Sequence, residues 1–434
     1  MKHVLFIDDD EVTLKLYENA LTRLGFHVTC VADGIRASQA LISAKPDIVV
    51  LDLMMPNFNG VDVLRFIRTN AAIKELPVIV LTNAYLTGLA DKAIALGVQK
   101  AALKAQCSPN QLAMLITKIF EEGPNQLKVL SPTTPETPTA ASATPPHLAK
   151  PVPPPPPAPP VPTVQPTTHQ PAPTASVALP SAPPKSSDEM HRTVVRTNLL
   201  ANATKIRSDL HSLHQEFVRA QTESERKVRL QNLYRRVHFL STSAGMAGCN
   251  RIALLSCAFE ALLFELMNQP PLITPSTRVT VAMANDFLRQ LLDRAKDVEA
   301  TSTSTPRALI VDDDPLANRL ISSALRYDQM SVRTTEDPVT ALEWAKETHY
   351  DLFLLDIEMP GMDGFELCKQ LRALPEYNGT PIIFVTSHAD FEHRAKSILS
   401  GSNDLISKPV FPIELAVKAV THLLRSGLES SAAA

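Results

Sequence analysis

Short apolar runs recur in two parts of the chain, and helix-like segments separate them. The runs are VLFI, IVVL and VIVL near the N-terminus, and ALIV, LFLL and IIFV towards the other end. Each run is apolar throughout and stops just before a polar residue, which is typical of strands that are covered on both faces. The pattern therefore predicts two α/β domains with parallel sheets, at residues 1–123 and 306–427.

The segment after the first apolar run has the periodicity of an amphipathic helix. Its apolar residues repeat every three or four positions, and Gly25 follows as a C-terminal cap. The residues predicted to share the buried face are Leu14, Tyr17, Leu21 and Leu24. We therefore expect strand and helix to alternate through each of the two domains.

The two α/β regions are copies of one repeat. HVLFIDDDEVTLKLYENAL matches RALIVDDDPLANRLISSAL, and DIVVLDLMMPNFNG matches DLFLLDIEMPGMDG. Four polar residues of the first copy recur 304 positions later in the second, and the pairs are Asp8 and Asp312, Asp52 and Asp356, Thr82 and Thr386, and Lys104 and Lys408. Because all four separations are equal, the chain uses one scaffold of fixed length twice.

The middle of the chain has other patterns. Residues 124–187 hold 21 of the 36 prolines and no aromatic residue, so they cannot bury enough apolar surface to offset ordering. This predicts a Pro-rich disordered linker that acts as a semi-rigid spacer. Residues 188–300 have heptad-like apolar spacing with a break at 268–276, which predicts helices. The expected buried stripe of one helix is Leu230, Leu233, Val237 and Leu240.

Composition narrows the class of protein. The net charge of −3 gives no electrostatic reason to expect binding of nucleic acid, which is therefore disfavoured. The five cysteines form no CxxC pair, which favours structural thiols in a reducing compartment. There is no apolar run near the ~20 residues of a membrane span and no signal-peptide pattern before the first strand. We therefore predict a cytoplasmic protein without membrane insertion.

Acidic residues follow two strands of the first copy. Asp8 and Asp9 come after the first strand and Asp52 after the third, so three carboxylates converge if these strands are neighbours. A cation offsets the cost of such a cluster, and oxygen ligands suit Mg²⁺. Lys104 and Thr82, which follow the fifth and fourth strands, can pair with a phosphoryl group. The chemistry indicated is phosphoryl transfer to a carboxylate.

On these motifs, both ends resemble receiver domains of two-component response regulators, which have a flavodoxin-like (βα)5 fold. The resemblance implies that Asp9 and Asp52 bind Mg²⁺ with the Met54 carbonyl, that Asp8 assists through water, and that Asp52 is phosphorylated. Thr82 then reads the phosphate and Lys104 pairs with it. In the second copy the implied residues are Asp312, Asp313, Asp356 and Glu358 for the metal, with Asp356 as acceptor, and Thr386 and Lys408 for the phosphate.

Some positions depart from the receiver pattern. Ala105 stands where proline usually follows the lysine, whereas the second copy has Pro409 there. Ala101 and Leu405 replace a usual aromatic residue three positions before the lysine. We therefore expect the usual coupling between threonine and aromatic residue to be altered. DDDEV also fits the DxDxV pattern of aspartate-nucleophile phosphatases, but the second copy, DDDPL, does not.

His238 is the candidate nucleophile of the helical region. It lies beside the apolar stripe, among Tyr234, Arg235, Ser241 and Thr242, and we expect this polar face to be accessible. The stretch around it resembles a histidine phosphotransfer domain, an all-α four-helix bundle, at His238, Leu240, Ala244, Gly245, Gly248 and Glu260. Ser241 and Thr242 replace the usual lysine and glycine, so a charge is lost and the approach of a receiver is more crowded.

The sequence thus predicts a multidomain phosphorelay protein and not a kinase, since no ATP-binding core is found. Phosphate is expected from a sensor histidine kinase or another phosphodonor protein, with output to a downstream protein target. Because residues 301–306 tether the helical region closely to the second receiver, we expect His238 to meet Asp356 more readily than Asp52. The alternative is a scaffold in which phosphorylated receivers change partners and the helical region only docks proteins.

Overall fold

The computed structural model describes residues 1–55, 59–82, 89–104, 107–122, 187–295, 305–326, 330–387, 397 and 399–433. The linker prediction falls almost wholly outside these residues, as does most of the tether at 301–306. No helix within the described ranges is long and apolar enough to cross a membrane.

The N-terminal domain alternates strands and helices, as the sequence predicts. Its elements are β1 (His3–Ile7), α1 (Glu11–Arg23), β2 (His27–Val31), α2 (Gly34–Ser43), β3 (Ile48–Leu51), α3 (Gly60–Thr69), β4 (Val78–Thr82), α4 (Leu89–Ala95), β5 (Lys100–Leu103) and α5 (Pro109–Glu122). The strands are all parallel, in the order β2-β1-β3-β4-β5. This order is that of the flavodoxin-like doubly wound sheet.

The sheet brings the two acidic segments side by side. β1 pairs with β3 with Ile7 opposite Leu51, so Asp8 and Asp52 follow a matched pair of residues. β1, β3 and β4 are almost entirely buried because helices cover both faces. The condition set by the sequence, that the first and third strands be neighbours, is therefore met.

The prediction of the buried α1 stripe is wrong at one residue. Leu14, Tyr17 and Leu21 are buried, but Leu24 is 48% exposed. The helix ends at Arg23, and Gly25 turns the chain at φ +91° so that the Phe26 N–H donates to the Leu21 carbonyl at 3.1 Å. Phe26, not Leu24, then packs into the core.

The middle region is helical, with α6 (Ser187–Arg219), α7 (Glu223–Ala247), α8 (Asn250–Asn268) and α9 (Pro275–Asp293). Thr222 and Glu225 form a capping box at the start of α7, and Gly248 ends it at φ +74°. α6 and α8 each pack against both α7 and α9. The predicted stripe is fully buried at all four positions, Leu230, Leu233, Val237 and Leu240.

The C-terminal domain repeats the first. Its elements are β6 (Arg307–Val311), α10 (Pro315–Arg326), β7 (Ser331–Thr335), α11 (Pro338–Glu347), β8 (Leu352–Leu355), α12 (Gly364–Arg372), β9 (Ile382–Thr386), β10 (Asp404–Ser407) and α13 (Pro412–Ala433). The strand order β10-β9-β8-β6-β7 is the same topology, read from the other edge. Val311 pairs with Leu355, so Asp312 and Asp356 are adjacent.

Both domains contact the helical region, but through different surfaces. α13 packs against α8 and α9, where the Glu414 carboxyl accepts hydrogen bonds from Ser276 at 2.6 Å and Thr280 at 2.8 Å. In the N-terminal domain, α1 packs against α7, and Met246 of α7 lies against the domain's apolar cluster. The second contact faces the acidic edge of the sheet.

Candidate functional site

The acidic cluster of the N-terminal domain is held by Lys104, which follows β5. Its Nζ lies 2.7 Å from Asp8 Oδ2 and donates to Asp52 Oδ2 at 3.0 Å. All three side chains are at most 1% exposed. Burial acts to lower the pKa of Lys104, but Asp52 and Asp8 outweigh it and raise the pKa well above its usual value. The lysine is therefore charged and neutralises part of the cluster.

Asp9 leaves a place for a cation. Its Oδ1 is buried and has no hydrogen-bond partner among the described residues. Burial raises the pKa of Asp9 to about 7, with Asp8 and Asp52 acting in the same direction and His238 against them. Ligand atoms of Asp8, Asp9, Asp52 and His238 all lie within 4.8 Å of one another. A carboxyl group in this position fits a divalent cation, which would allow it to ionise.

The loop after Asp52 is fixed by its own backbone. The Met54 N–H donates to Asp52 Oδ1 at 3.1 Å, and Gly60 packs against the Asp52 carbonyl so closely that a Cβ at Gly60 would lie 2.1 Å from that oxygen. Gly364 meets the Asp356 carbonyl in the same way, at 2.0 Å. Neither glycine was among the predicted site residues, although the two recur 304 positions apart within the repeated motifs.

His238 lies inside this cluster. Its Nε2 is 3.1 Å from Lys104 Nζ and 3.9 Å from Asp8 Oδ1, and the residue is 2% exposed. Burial and Lys104 act to lower the pKa of His238, but Glu260 and Asp8 outweigh them and raise it well above its usual value. Because an ammonium can only donate, Nε2 accepts from Lys104 only in the neutral form of the imidazole. The expected accessible face of the helix is thus covered, and the N-terminal domain covers it.

The opposite side of the imidazole is held by the helical region itself. Nδ1 lies 2.7 Å from Glu260 Oε1, and the Ser241 hydroxyl donates to Glu260 Oε2. Burial acts to raise the pKa of Glu260, but the attraction and hydrogen bond of His238, with the Ser241 hydrogen bond, hold it below its usual value. Glu260 is therefore a carboxylate that accepts a hydrogen bond from Nδ1–H and so directs Nε2 towards the aspartates.

Tyr234, one helical turn before His238, makes a further contact. Its ring stacks on the imidazole with centroids 5.7 Å apart, and its hydroxyl donates to the Met54 carbonyl. Sequence reasoning named Tyr234 only as a neighbour of His238. Nothing in its spacing indicated a bond to the other domain.

The expectation that His238 would meet Asp356 more readily than Asp52 was wrong for this structure. The described contacts of His238 outside the helical region are to Lys104 and Asp8. Tether length sets only the local concentration of a partner, whereas the docked pair is chosen by complementary contacts. Among the described residues, those contacts include the Lys104 ammonium and the Met54 carbonyl, both of which belong to the first copy.

The C-terminal domain assembles the same cluster in a more open form. Lys408 Nζ lies 2.8 Å from both Asp312 Oδ2 and Asp356 Oδ2. Asp313 is exposed and the Lys408 side chain is 20% exposed, against 0% for Lys104. Thr386 is buried at the end of β9, as Thr82 is at the end of β4. Both copies therefore bring the predicted aspartates and lysine together, but only in the first do described residues of the helical region lie over this cluster.

Two parallel five-stranded α/β domains, each with paired carboxylates and a lysine at the carboxyl edge of the sheet, define the class of receiver-type phosphoacceptor modules. The family description "Response regulator receiver domain" matches residues 4–117 and 308–420, which together exceed half of the chain. The chain belongs to this family, and its receiver domains place it in two-component phosphorelay signalling.

Curated relatives match one part of the chain each. The transcriptional regulatory protein ResD of Bacillus subtilis is 35% identical over 129 residues, which are 30% of this chain and 52% of ResD. The signal transduction histidine-protein kinase BarA of Escherichia coli K12 is 33% identical over 158 residues, 36% of this chain and 17% of BarA. The chain therefore spans about half of ResD and less of BarA.

Solved structures match at the level of one receiver domain. A CheY-like receiver domain protein from Methanospirillum hungatei JF-1 is 30% identical, covering 29% of this chain and 99% of its own, with a TM-score of 0.28. A response regulator from Chloroflexus aurantiacus J-10-fl is also 30% identical, over 28% of this chain and all of its own, again with a TM-score of 0.28.

Proposed function

We propose that the chain is an intramolecular phosphorelay in which phosphate passes between Asp52 and His238, while Asp356 is a second acceptor open to phosphodonor proteins such as a sensor histidine kinase. The observation that carries the proposal is the position of His238, whose Nε2 lies beside Lys104 within the Asp8 and Asp52 cluster. A histidine phosphotransfer-like role for residues 188–300 follows from this contact.

The metal part of the proposal rests on the acidic residues. Mg²⁺ would be held in the first copy by Asp9, Asp52 and the Met54 carbonyl, with Asp8 assisting through water, and would neutralise charge on the phosphoryl oxygens. In the second copy the corresponding set is Asp313, Asp356 and the Glu358 carbonyl, with Asp312. The buried, unpartnered Asp9 oxygen and the two acidic clusters support this assignment.

The proposed step starts from the neutral imidazole, so protonated His238 must first release its Nε2 proton to a neighbouring carboxylate. The Nε2 lone pair then attacks phosphorus on the Asp52 acyl phosphate, the bond between phosphorus and the Asp52 oxygen breaks, and Asp52 leaves as a carboxylate. The positive charge that develops on the ring is matched by Glu260 at Nδ1, so the Nδ1 proton stays in place. Thr82 would bind a phosphoryl oxygen, and Lys104 would stabilise the negative charge of the phosphoryl group during transfer. In the second copy Thr386 and Lys408 would have these roles.

Lys104 also supplies the positive charge of a lysine that α7 lacks near His238. The phosphotransfer resemblance lacks its usual lysine, since Ser241 stands there and binds Glu260 instead. In this structure the positive charge nearest to Nε2 belongs to the receiver. The missing helix charge therefore does not count against transfer within the chain.

The test uses the full chain carrying Asp356→Asn, so that Asp52 is the acceptor under study. After incubation with labelled acetyl phosphate and Mg²⁺, we expect base-stable, acid-labile label on His238 as well as hydroxylamine-sensitive label on Asp52. His238→Gln should abolish the base-stable label, Asp52→Asn should abolish both, and His211→Gln, at an exposed position of the same region, should change neither. Label that is confined to Asp52 in the chain that retains His238 contradicts transfer and leaves the scaffold alternative.

A further inference from the structure

Tyr234 joins the helical region to the backbone of the first receiver. Its side chain is fully buried, its ring contacts the rings of His238 and Phe264, and its hydroxyl donates to the Met54 carbonyl. Burial, with the charges of Asp9 and Glu260, raises the pKa of Tyr234 well above its usual value. Because a carbonyl oxygen can only accept, the hydroxyl is the donor at this contact.

The Met54 carbonyl belongs to the acidic cluster. The N–H of the same residue donates to an Asp52 oxygen, which holds the peptide beside the carboxylates. Both a cation and an O–H proton place positive charge on the lone pairs of a carbonyl oxygen. When they share one buried oxygen, each weakens the other, since the repulsion is poorly screened in the low-dielectric interior.

We propose that the Tyr234 hydroxyl sets the strength of divalent-cation binding in the first receiver, by competing with the ion for the Met54 carbonyl. This inference rests on the metal site of the proposed function. By thermodynamic linkage, the coupling acts in both directions: seating of α7 weakens cation binding, and the cation loosens the seating of α7. Tyr234 is thus a positioning residue: it controls how firmly His238 is held beside the aspartates when the cation is bound to them.

The experiment measures Mg²⁺ binding to the full chain by isothermal titration calorimetry. Asp313→Asn with Asp356→Asn removes the second site, so the titration reports the first. In this background, Tyr234→Phe retains the stacked ring and loses only the hydroxyl, and it should bind Mg²⁺ about 3- to 10-fold more tightly, the effect of one neutral hydrogen bond. Tyr17→Phe is the matched control, because it removes a buried hydroxyl from the Cys107 carbonyl of the same domain, and its Mg²⁺ affinity should not change.

A second measurement tests whether the cation loosens the packing of α7 against the first receiver. Hydrogen exchange of the 232–243 segment should increase on addition of Mg²⁺ in the parent chain and increase less in Tyr234→Phe. Equal or weaker Mg²⁺ binding by Tyr234→Phe would overturn the inference. The transfer assay on the same proteins separates the two proposals: tighter Mg²⁺ binding without label on His238 refutes only the relay, and unchanged Mg²⁺ binding with label on His238 refutes only the role of Tyr234.

Discussion

Some equivalent positions of the two copies carry different residues, which make different contacts. Position 404 carries Asp404 in the second copy, whereas the equivalent position of the first is Lys100. Asp404 is bonded to Lys418 at 2.8 Å and to His422 at 3.1 Å, both on α13. Burial alone would raise the pKa of Asp404, but these bonds outweigh it and lower the pKa to about 2. This carboxylate therefore ties β10 to α13 in the second receiver alone.

A pH dependence follows from Asp404. A carboxyl whose pKa falls from 3.8 unfolded to about 2 folded contributes roughly 2 kcal/mol above its unfolded pKa, and the contribution is lost as the pH falls from about 5 to 2. Asp404→Asn should reduce stability at pH 7 by about that amount and flatten the profile over this range. Urea unfolding can be followed by Trp344, the only tryptophan of the chain, which lies in α11. An unchanged profile would show that the pair with α13 contributes no stability.

The glycines behind the acceptor aspartates give a second prediction. A Cβ at Gly364 would lie 2.0 Å from the Asp356 carbonyl oxygen, so the backbone must shift to accommodate it. We expect Gly364→Ala to reduce the free energy of unfolding of the second receiver by about 1–3 kcal/mol, the usual cost of overpacking. Gly379→Ala is the control in the same domain, since a Cβ there meets nothing within 4 Å. Equal stability of the two variants would contradict the steric argument.

At the scale of elements, α13 packs against two parts of the molecule. It closes the second receiver and also packs against α8 and α9 of the helical region. Its contact includes the Arg425 guanidinium, 5.2 Å from the centre of the Phe287 ring, and the buried Glu414 carboxyl. The second receiver is therefore attached through a helix, and its acidic edge is left out of that contact.

The Glu414 contact can be measured by a double-mutant cycle. Glu414 Oε1 accepts hydrogen bonds from the Ser276 and Thr280 hydroxyls. Glu414→Ala, Ser276→Ala and the double variant should show a coupling energy of about 1–2 kcal/mol, since the residues share a partly buried hydrogen bond to a carboxylate. Unfolding followed by Trp344 fluorescence provides the four free energies. Additive effects would indicate that packing alone holds α13 on α9.

At the scale of the whole molecule, the two phosphoacceptor sites are unequal. Asp52 is covered by α7 and its lysine is fully buried, whereas Lys408 and Asp313 of the other site are in contact with solvent. A small phosphodonor must displace the helical region to reach Asp52. It can reach Asp356 in the structure as it stands.

Acetyl phosphate should therefore label Asp356 before Asp52 in the intact chain with Mg²⁺, as followed by mass spectrometry of the modified peptides over time. Met246→Asp places a charge against the apolar cluster of the first receiver, so it should loosen α7 and raise the rate at Asp52 several-fold. Val228→Asp, at an exposed position of the same helix, is the matched control and should leave the ratio unchanged. Equal initial rates in the parent chain would contradict the covering of Asp52.

The repeat, the parallel strands and the gathering of Asp8, Asp52 and Lys104 could be predicted from the sequence. The alternation of strands and helices and the fixed spacing of the polar residues are local properties, and a parallel sheet places the residues that follow its strands at one edge. The helical nature of residues 188–300 and its buried stripe could be read in the same way. The exposed side chain of Leu24 could not, since a single left-handed glycine after α1 decides it.

Which receiver meets His238 was decided by tertiary structure alone. The sequence supplies a histidine on a polar face and two nearly equivalent acidic sites, and tether length pointed to the wrong one. Contacts between domains join residues far apart in the chain, such as Tyr234 with Met54 and His238 with Lys104, and no periodicity encodes them. The sequence by itself therefore determined the modules and their chemical groups, whereas packing between folded surfaces determined how those groups are paired.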